Sequence, residues 1–210
     1  IVGSGAYREV LEGLVHAIAS GNEALLDALV AKGNDLDDTH LEGPWEAVAA
    51  YLSAPGNRRT VLSAGRRFAE HVHFTGRMSH DLLCHLFPCA DVAVFPSVIP
   101  EAYPLVLMES LSNGVLPAAS DFSGFAEGLD HLVPELGREL VQSMRLPIDP
   151  ATCVAGMVER LSSLLAQPRD DARKARLRDI AVRRYDWKIR AREMAAAYDD
   201  LRREDPTSAD

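Results

Sequence analysis

Two short apolar runs on either side of a helical pattern limit the fold of this chain more than any other feature. The runs are Asp91–Pro96 and Leu116–Ala119, and between them Leu105–Asn113 has a helical pattern that Gly114 ends. Strands that alternate with helices pair in parallel, and a parallel sheet is stable when helices cover both of its faces. We therefore predict an α/β fold in which a parallel sheet has helices on both faces, with a helical C-terminal extension.

The alternation of strands and helices continues in both directions from this segment. We predict strands at Ile1-Val2 and His71–Phe74, and helices over Tyr7–Ala19 and from Ser79 to about Cys89. The last third of the chain contains helical patterns only. These later helices are expected over Pro150–Leu165, Asp170–Tyr185 and Trp187–Arg203.

The same patterns predict how the chain is organised. We expect one sheet-containing domain over residues 1–165, helices over 166–203 that pack on it, and a disordered tail over 204–210. Residues 21–65 are polar and rich in turn residues, and we interpret them as an insertion with short helical patches. Because the chain begins with what resembles the end of a buried strand, Ile1-Val2, we expect it to be a fragment of a longer polypeptide.

Composition and charge exclude several kinds of protein. The net charge of −9 argues against non-specific nucleic-acid binding, which depends on basic surface. The three cysteines have neither zinc-site spacing nor the pattern of a disulfide framework, and no metal site is expected. No apolar run approaches the roughly 20 residues that span a bilayer. We predict a cytoplasmic protein, and the sequence leaves open both its oligomeric state and peripheral contact with the inner face of a membrane.

Two glutamates flank the start of the helix predicted after the first apolar run. Pro104 suits the first helical position, and the residue before it is a poor N-cap, so the N–H groups of Leu105–Leu107 lack a side-chain partner. Such a helix start favours an anion, and a phosphate is the natural candidate. At 1.5 Å per residue, Glu101 and Glu109 could flank a ligand about 7–10 Å long. Taken alone, the two carboxylates favour the interpretation that Glu101 complements the helix dipole and Glu109 is a solvated surface group, since charged helical residues are usually solvated.

The residues around these glutamates resemble a known family. The similar segments, in chain order, are Gly3–Gly5, His71–Arg77, Ala90–Ser97, Glu101–Pro117 and Ala119–Gly124. Their sequence and spacing closely resemble the signature of the retaining GT-B glycosyltransferases of family four. The resemblance covers about residues 1–15 and 70–130, and several motifs in order are far more specific than a lone glycine pattern.

The resemblance implies a function and roles for the helix-start residues. It implies the Rossmann-like, donor-binding C-terminal half of a GT-B fold, which transfers a sugar from a nucleoside diphosphate sugar with retention of configuration. Glu101 would contact the donor sugar hydroxyls as the catalytic residue, Glu109 would hold the ribose, and the N–H groups of Leu105 and Val106 would meet the distal phosphate. The implied donor-binding set also includes Ala102, Tyr103 and Pro104.

The resemblance extends to the loops near the start of the chain. Gly76-Arg77-Met78 would line the base pocket, mostly through backbone, and the turn from Gly3 to Gly5 would approach the nucleotide closely. Family members generally need no bound metal or other cofactor, since cationic side chains and the helix dipole offset the diphosphate charge. The acceptor, a glycan, lipid or small molecule, would bind to an N-terminal domain that this chain lacks. A transferase fragment of this kind is expected to be inactive alone.

The chain also departs from the family pattern. Pro104 and Ser123 occupy positions where many relatives have glycine, and an Arg and a Lys that bind the diphosphate in relatives would precede Ile1. Two other functions stay open on the same fold: a sugar-nucleotide epimerase, and a non-catalytic nucleotide-binding or interaction module.

Overall fold

The computed structural model describes residues 1–3, 5, 7–36, 42–168 and 170–204, and the chain divides into two compact units. The first unit comprises the described residues of Ile1–His85 together with Leu146–Arg160. The second comprises Leu86–Arg145 and the described residues from Leu161 onward. Residues 205–210 of the predicted tail lie outside the described residues. The predicted division into 1–165 and 166–203 stays a prediction.

Helices form most of the first unit. The first five helices of the chain are α1 (Tyr7–Ser20), α2 (Glu23–Lys32), α3 (Glu46–Ser53), α4 (Asn57–Glu70) and α5 (His80–Leu86). The first four pack around a small apolar core, in which α1 contacts both α2 and α4. The buried residues of this core are Ala17, Ile18, Leu26, Val30 and Leu52.

Helix α4 is the main departure from the predicted elements of this unit. Its sequence is mostly polar, and Gly65 interrupts the helical backbone with a φ of 46°, which explains why the region looked rich in turns. Val61 and Leu62 nevertheless pack against the apolar core. Arg58 also forms ion pairs of 2.8 Å with both Glu23 and Asp27 of α2. Tertiary packing therefore stabilises a helix that local sequence preference does not predict.

Neither of the two predicted N-terminal strands becomes a regular strand, although residues 1–3 pair with residues 75–76. Val2 and Gly76 form an isolated parallel bridge. The N–H of Thr75 donates to the carbonyl of Ile1 at 3.0 Å, and the N–H of Gly3 donates to that of Gly76 at 2.9 Å. The prediction of a strand over His71–Phe74 was therefore wrong, because the backbone pairing involves mainly Thr75 and Gly76, just after that segment.

The sheet follows the predicted strand–helix–strand order. Strands β1 (Val92–Phe95) and β2 (Leu116–Ser120) pair in parallel, with Val92 opposite Leu116, and helix α6 (Leu105–Ser112) connects them. A short strand β3 (Arg145–Leu146) gives the order β1-β2-β3. Gly114, with a φ of 75°, ends α6 as predicted. The α/β fold with a small parallel sheet and helical extension is thus confirmed.

Every residue of β2 is buried, because helices of the second unit pack around it. The remaining helices of the chain are α7 (Ser123–Asp130), α8 (Val133–Leu136), α9 (Arg138–Met144), α10 (Cys153–Leu165), α11 (Asp171–Tyr185) and α12 (Trp187–Glu204). Helices α6, α7 and α9 contact β2, and α11 packs on α6. Leu107 and Leu111 of α6 are completely buried in this core. Among the described helices, none is both long and apolar enough to cross a membrane.

We predict that Leu111→Ala lowers the free energy of unfolding by about 2–5 kcal/mol, because it removes a completely buried side chain and leaves a cavity. Urea denaturation followed by circular dichroism measures this loss. Leu201→Ala is the matched control, since Leu201 is 61% exposed on α12 and its loss should change stability by less than about 0.5 kcal/mol. Equal effects of the two substitutions would contradict the described packing of α6.

Candidate functional site

The loop before α6 is fixed through its backbone. The carbonyl of Glu101 accepts a hydrogen bond from the N–H of Gly124 at 2.9 Å and another from the Oγ of Ser123 at 3.0 Å. The Glu101 side chain itself is exposed and has no hydrogen bond or ion pair with the described residues. The loop after β2 therefore positions Glu101 while its carboxylate stays available to a ligand.

This contact requires a glycine at position 124. A Cβ there would lie 2.3 Å from the Glu101 carbonyl oxygen and 2.6 Å from that of Ala102, far inside van der Waals contact. The preceding Ser123 has a φ of 51°, an uncommon conformation for a residue with a side chain. That strain is offset by the hydrogen bond that its hydroxyl donates to Glu101. The predicted Ser123-Gly124 pair is thus part of the site's support.

An arginine holds the same loop from its other side. Arg145, with only 13% of its side chain exposed, forms ion pairs with Asp121 just after β2 and with Asp130 at the end of α7. A half-enclosed guanidinium between two carboxylates fixes geometry more firmly than an exposed pair does. The loop that supports Glu101 is therefore anchored at both ends.

The start of α6 leaves donors unpaired. Pro104 is buried and is the N-cap residue, whereas the sequence predicted it as the first helical residue. The helix begins at Leu105. No group in the described part of the chain accepts from the N–H of Leu105 or of Val106. The N–H of Leu107, in contrast, donates to the carbonyl of Pro104 at 3.2 Å. Two of the three donors expected at this helix start are thus available.

A cleft of about 640 Å³ lies beside these donors. Leu105, Met108, Glu109 and Ser112 form one wall, because residues three and four apart share a face of α6. The opposite wall comes from the end of α11 and the start of α12. The residues of this wall are Ala181, Val182, Tyr185, Asp186, Trp187 and Arg190. Tyr103, which precedes α6, also lines the cleft.

The cleft brings together some of the donor-binding residues that the sequence predicted in the second unit. Tyr103, Leu105 and Glu109 all line it, and Glu109 is half-buried there. Glu101, Ala102 and Val106 do not line the cleft, although they belong to the same stretch of chain. The arrangement combines an apolar surface, the carboxylates of Glu109 and Asp186, the guanidinium of Arg190 and a helix start with unpaired donors. It is suited to a ligand with a flat apolar part and an anionic part.

Sequence reasoning missed the wall formed by α11 and α12. Tyr185 and Trp187 are aromatic residues next to the boundary between two helices rich in charged residues, and that contrast was the available signal. The Tyr185 hydroxyl is buried and has no hydrogen-bond partner among the described residues. Burial raises the pKa of Tyr185, so the phenol stays protonated and able to donate.

The predicted residues of the first unit form a separate group. Gly3 and Gly76 are joined by the hydrogen bond between their backbones, and Gly76 is buried with a φ of 74°. Arg77 and Gly5 are exposed, and Met78 is half-buried. The Nη1 of Arg8 lies 3.0 Å from where a Cβ on Gly76 would be, so Arg8 is a cation at this turn that the sequence did not identify.

Comparison with known proteins identifies the family. The family model for glycosyl transferases group 1 matches residues 56–173, more than half of the chain. The chain therefore belongs to this family, as the sequence motifs predicted.

Individual relatives are more distant. The chain is 26% identical over 181 residues to a phosphatidyl-myo-inositol mannosyltransferase of Mycobacterium leprae, covering 86% of this chain and 43% of the relative. It is 27% identical over 182 residues to the protein of the same name from Mycobacterium tuberculosis strain H37Rv, covering 86% and 44%. The chain thus spans less than half the length of the curated relatives it matches.

We predict that Gly124→Ala destabilises the protein by about 1–3 kcal/mol, because the new methyl group displaces the Glu101–Ala102 backbone. The change is measured by urea denaturation. Gly13→Ala is the matched control: its Cβ would meet only a leucine methyl at 3.6 Å within α1, so alanine should be neutral or stabilising there. If Gly124→Ala is as stable as the parent, the close approach described for this loop is incorrect.

Proposed function

We propose that this chain is the donor-binding part of a glycosyltransferase that uses a nucleoside diphosphate sugar and retains the configuration of the transferred sugar. The observation that supports it most is the half-buried Glu109 in an apolar cleft, about 6 Å along the helix axis from unpaired N–H donors at 1.5 Å per residue. A nucleoside diphosphate offers matching groups: ribose hydroxyls for the carboxylate and phosphate oxygens for the helix start.

The proposal gives roles to four residues in and before α6. Glu109 accepts hydrogen bonds from the ribose, and the N–H groups of Leu105 and Val106 donate to the distal phosphate. Glu101 contacts the sugar hydroxyls as the sugar leaves the diphosphate, with its backbone held by the loop after β2. The positive end of the α6 dipole stabilises the negative charge that develops on the leaving diphosphate.

The first unit receives its roles from the family pattern alone. We assign Gly76-Arg77-Met78 to the base, and Gly3 and Gly5 to close approach of the nucleotide. The hydrogen bond between Gly3 and Gly76 supports a common role for these two residues. The acceptor is assigned to a partner domain outside this chain.

The relatives suggest which sugar to test first. Their names describe mannosyl transfer to phosphatidyl-myo-inositol, so a mannose nucleotide is the first donor to examine with this chain. An epimerase on the same fold would bind the same donor, whereas an interaction module without nucleotide binding would not. Binding measurements on the cleft therefore separate an interaction module from the enzymes. A turnover assay separates the transferase from an epimerase and from a non-catalytic nucleotide-binding module.

We predict that Glu109→Ala weakens nucleoside diphosphate binding about ten- to hundred-fold, the usual effect of removing a charged hydrogen-bond acceptor. Isothermal titration calorimetry with GDP and UDP provides the measurement. Glu127→Ala removes the same charge from an exposed position on α7 and should leave the affinity unchanged. Parent-like affinity in Glu109→Ala would remove the ribose role and the strongest support for the proposal.

We also predict that the diphosphate binds without a divalent metal, because backbone donors at the start of α6 supply the interaction. Calorimetric titrations with nucleoside diphosphate in EDTA and in magnesium should give the same affinity. An affinity that depends on magnesium or manganese would contradict this part of the proposal.

A further inference from the structure

A second cavity in the same unit is strongly cationic. It has a volume of about 370 Å³ and is lined by Tyr103, His131, Arg184, Tyr185 and Arg190, which we call the arginine pocket. No carboxylate is among these lining residues. The protein as a whole has a net charge of −9, so general attraction does not draw anions to it. Any anion bound here is selected by the local groups.

Arg184 has no counter-charge among the described residues. It is half-buried, and one guanidinium N–H donates to the backbone carbonyl of His131. It forms no ion pair within the described residues, whereas its neighbour Arg183 is paired with both Glu135 and Asp179. A partly buried cation without a counter-ion is costly, and a bound anion would remove that cost.

Arg190 and Tyr185 supply further donors. Arg190 pairs with Glu193 at 2.9 Å, which uses one of the five N–H groups of its guanidinium. The Tyr185 hydroxyl is buried without a partner, and both arginines lie close enough to act on it electrostatically. Glu135, the carboxylate that also acts on this phenol, is bound by Arg183. Within the described residues, the pocket therefore has unmatched donors and no carboxylate in its lining to satisfy them.

We propose that the arginine pocket binds a phosphate group, with Arg184 as its main ligand and the Tyr185 hydroxyl and Arg190 as further donors. A tetrahedral oxyanion presents acceptor oxygens in several directions, which suits donors that come from three side chains. Tyr103, Tyr185 and Arg190 also line the cleft that contains Glu109. The phosphate could thus belong to a nucleotide in that cleft or to a separate phosphorylated molecule, and the inference stands independently of the proposed donor.

The first test titrates the 210-residue chain with inorganic phosphate by calorimetry, at constant ionic strength set with chloride. We expect saturable binding that Arg184→Gln weakens about ten- to hundred-fold, as for a lost charge-assisted hydrogen bond. Arg183→Gln is the matched control, because it removes the same charge one residue away from a guanidinium already paired with carboxylates. Failure of the parent chain to saturate, or equal weakening by both variants, overturns the proposal.

A second variant guards against loss of folding. Tyr185→Phe keeps the ring and removes a hydroxyl that has no partner in the described structure, so its stability to urea should match or exceed that of the parent. Phosphate affinity should nevertheless fall several-fold. Unchanged affinity in a folded Tyr185→Phe protein would exclude the hydroxyl as a phosphate donor and overturn the proposed ligand set.

The source of the phosphate is resolved by adding a nucleoside diphosphate. Displacement of phosphate, with weaker nucleotide binding in Arg184→Gln, would place a nucleotide phosphate in the pocket. Simultaneous binding of both would indicate a separate phosphorylated ligand, and either result supports the site. The proposed function fails if Glu109→Ala binds a nucleoside diphosphate as the parent does, and this inference fails if Arg184→Gln binds phosphate as the parent does, so the two failures give different results.

Discussion

The hydrogen bond from the Gly124 N–H to the Glu101 carbonyl is the contact on which the candidate site depends. It joins the loop after β2 to the loop before α6, two segments that the β1–α6–β2 unit brings to the same edge of the sheet. Carboxyl ends of parallel strands meet at one edge, and ligands of α/β proteins commonly bind there. The position of Glu101 is thus set by main-chain geometry rather than by its own side chain.

The elements around this contact either pack in the core or line the cleft, and α6 does both. Completely buried leucines on one face of α6 lie in the core of the second unit, while Leu105, Glu109 and Ser112 of the same helix line the cleft. A helix that is firmly packed on one side can present Glu109 and the unpaired donors at its start with little motion. The ion pairs of Arg145 with Asp121 and Asp130 extend this rigidity to the supporting loop.

Much of this architecture could be predicted from the sequence because the relevant signals are local. The β1–α6–β2 unit, the stop at Gly114 and the closing helices follow from apolar periodicity and turn residues. Helix α4 was not predicted, since its polar sequence and Gly65 disfavour a helix and it is stabilised by packing on α1 and α3 and by the ion pairs of Arg58 with α2. The cleft wall of Tyr185 and Trp187 was missed for a similar reason: no local pattern reveals that α11 and α12 face α6. The roles of the individual site residues stay predictions.

Ser123 shows how two requirements at one position limit the sequences that this loop can accept. Its backbone, at a φ of 51°, would be relaxed by glycine, whereas its hydroxyl holds the Glu101 carbonyl and glycine would remove that bond. At position 123, the residue that relaxes the backbone is therefore not the residue that holds Glu101 in place. Selection for stability alone would favour glycine, and selection for the position of Glu101 alone would favour serine. In a library randomised at position 123, variants selected for heat resistance and variants selected for ligand affinity should consequently diverge.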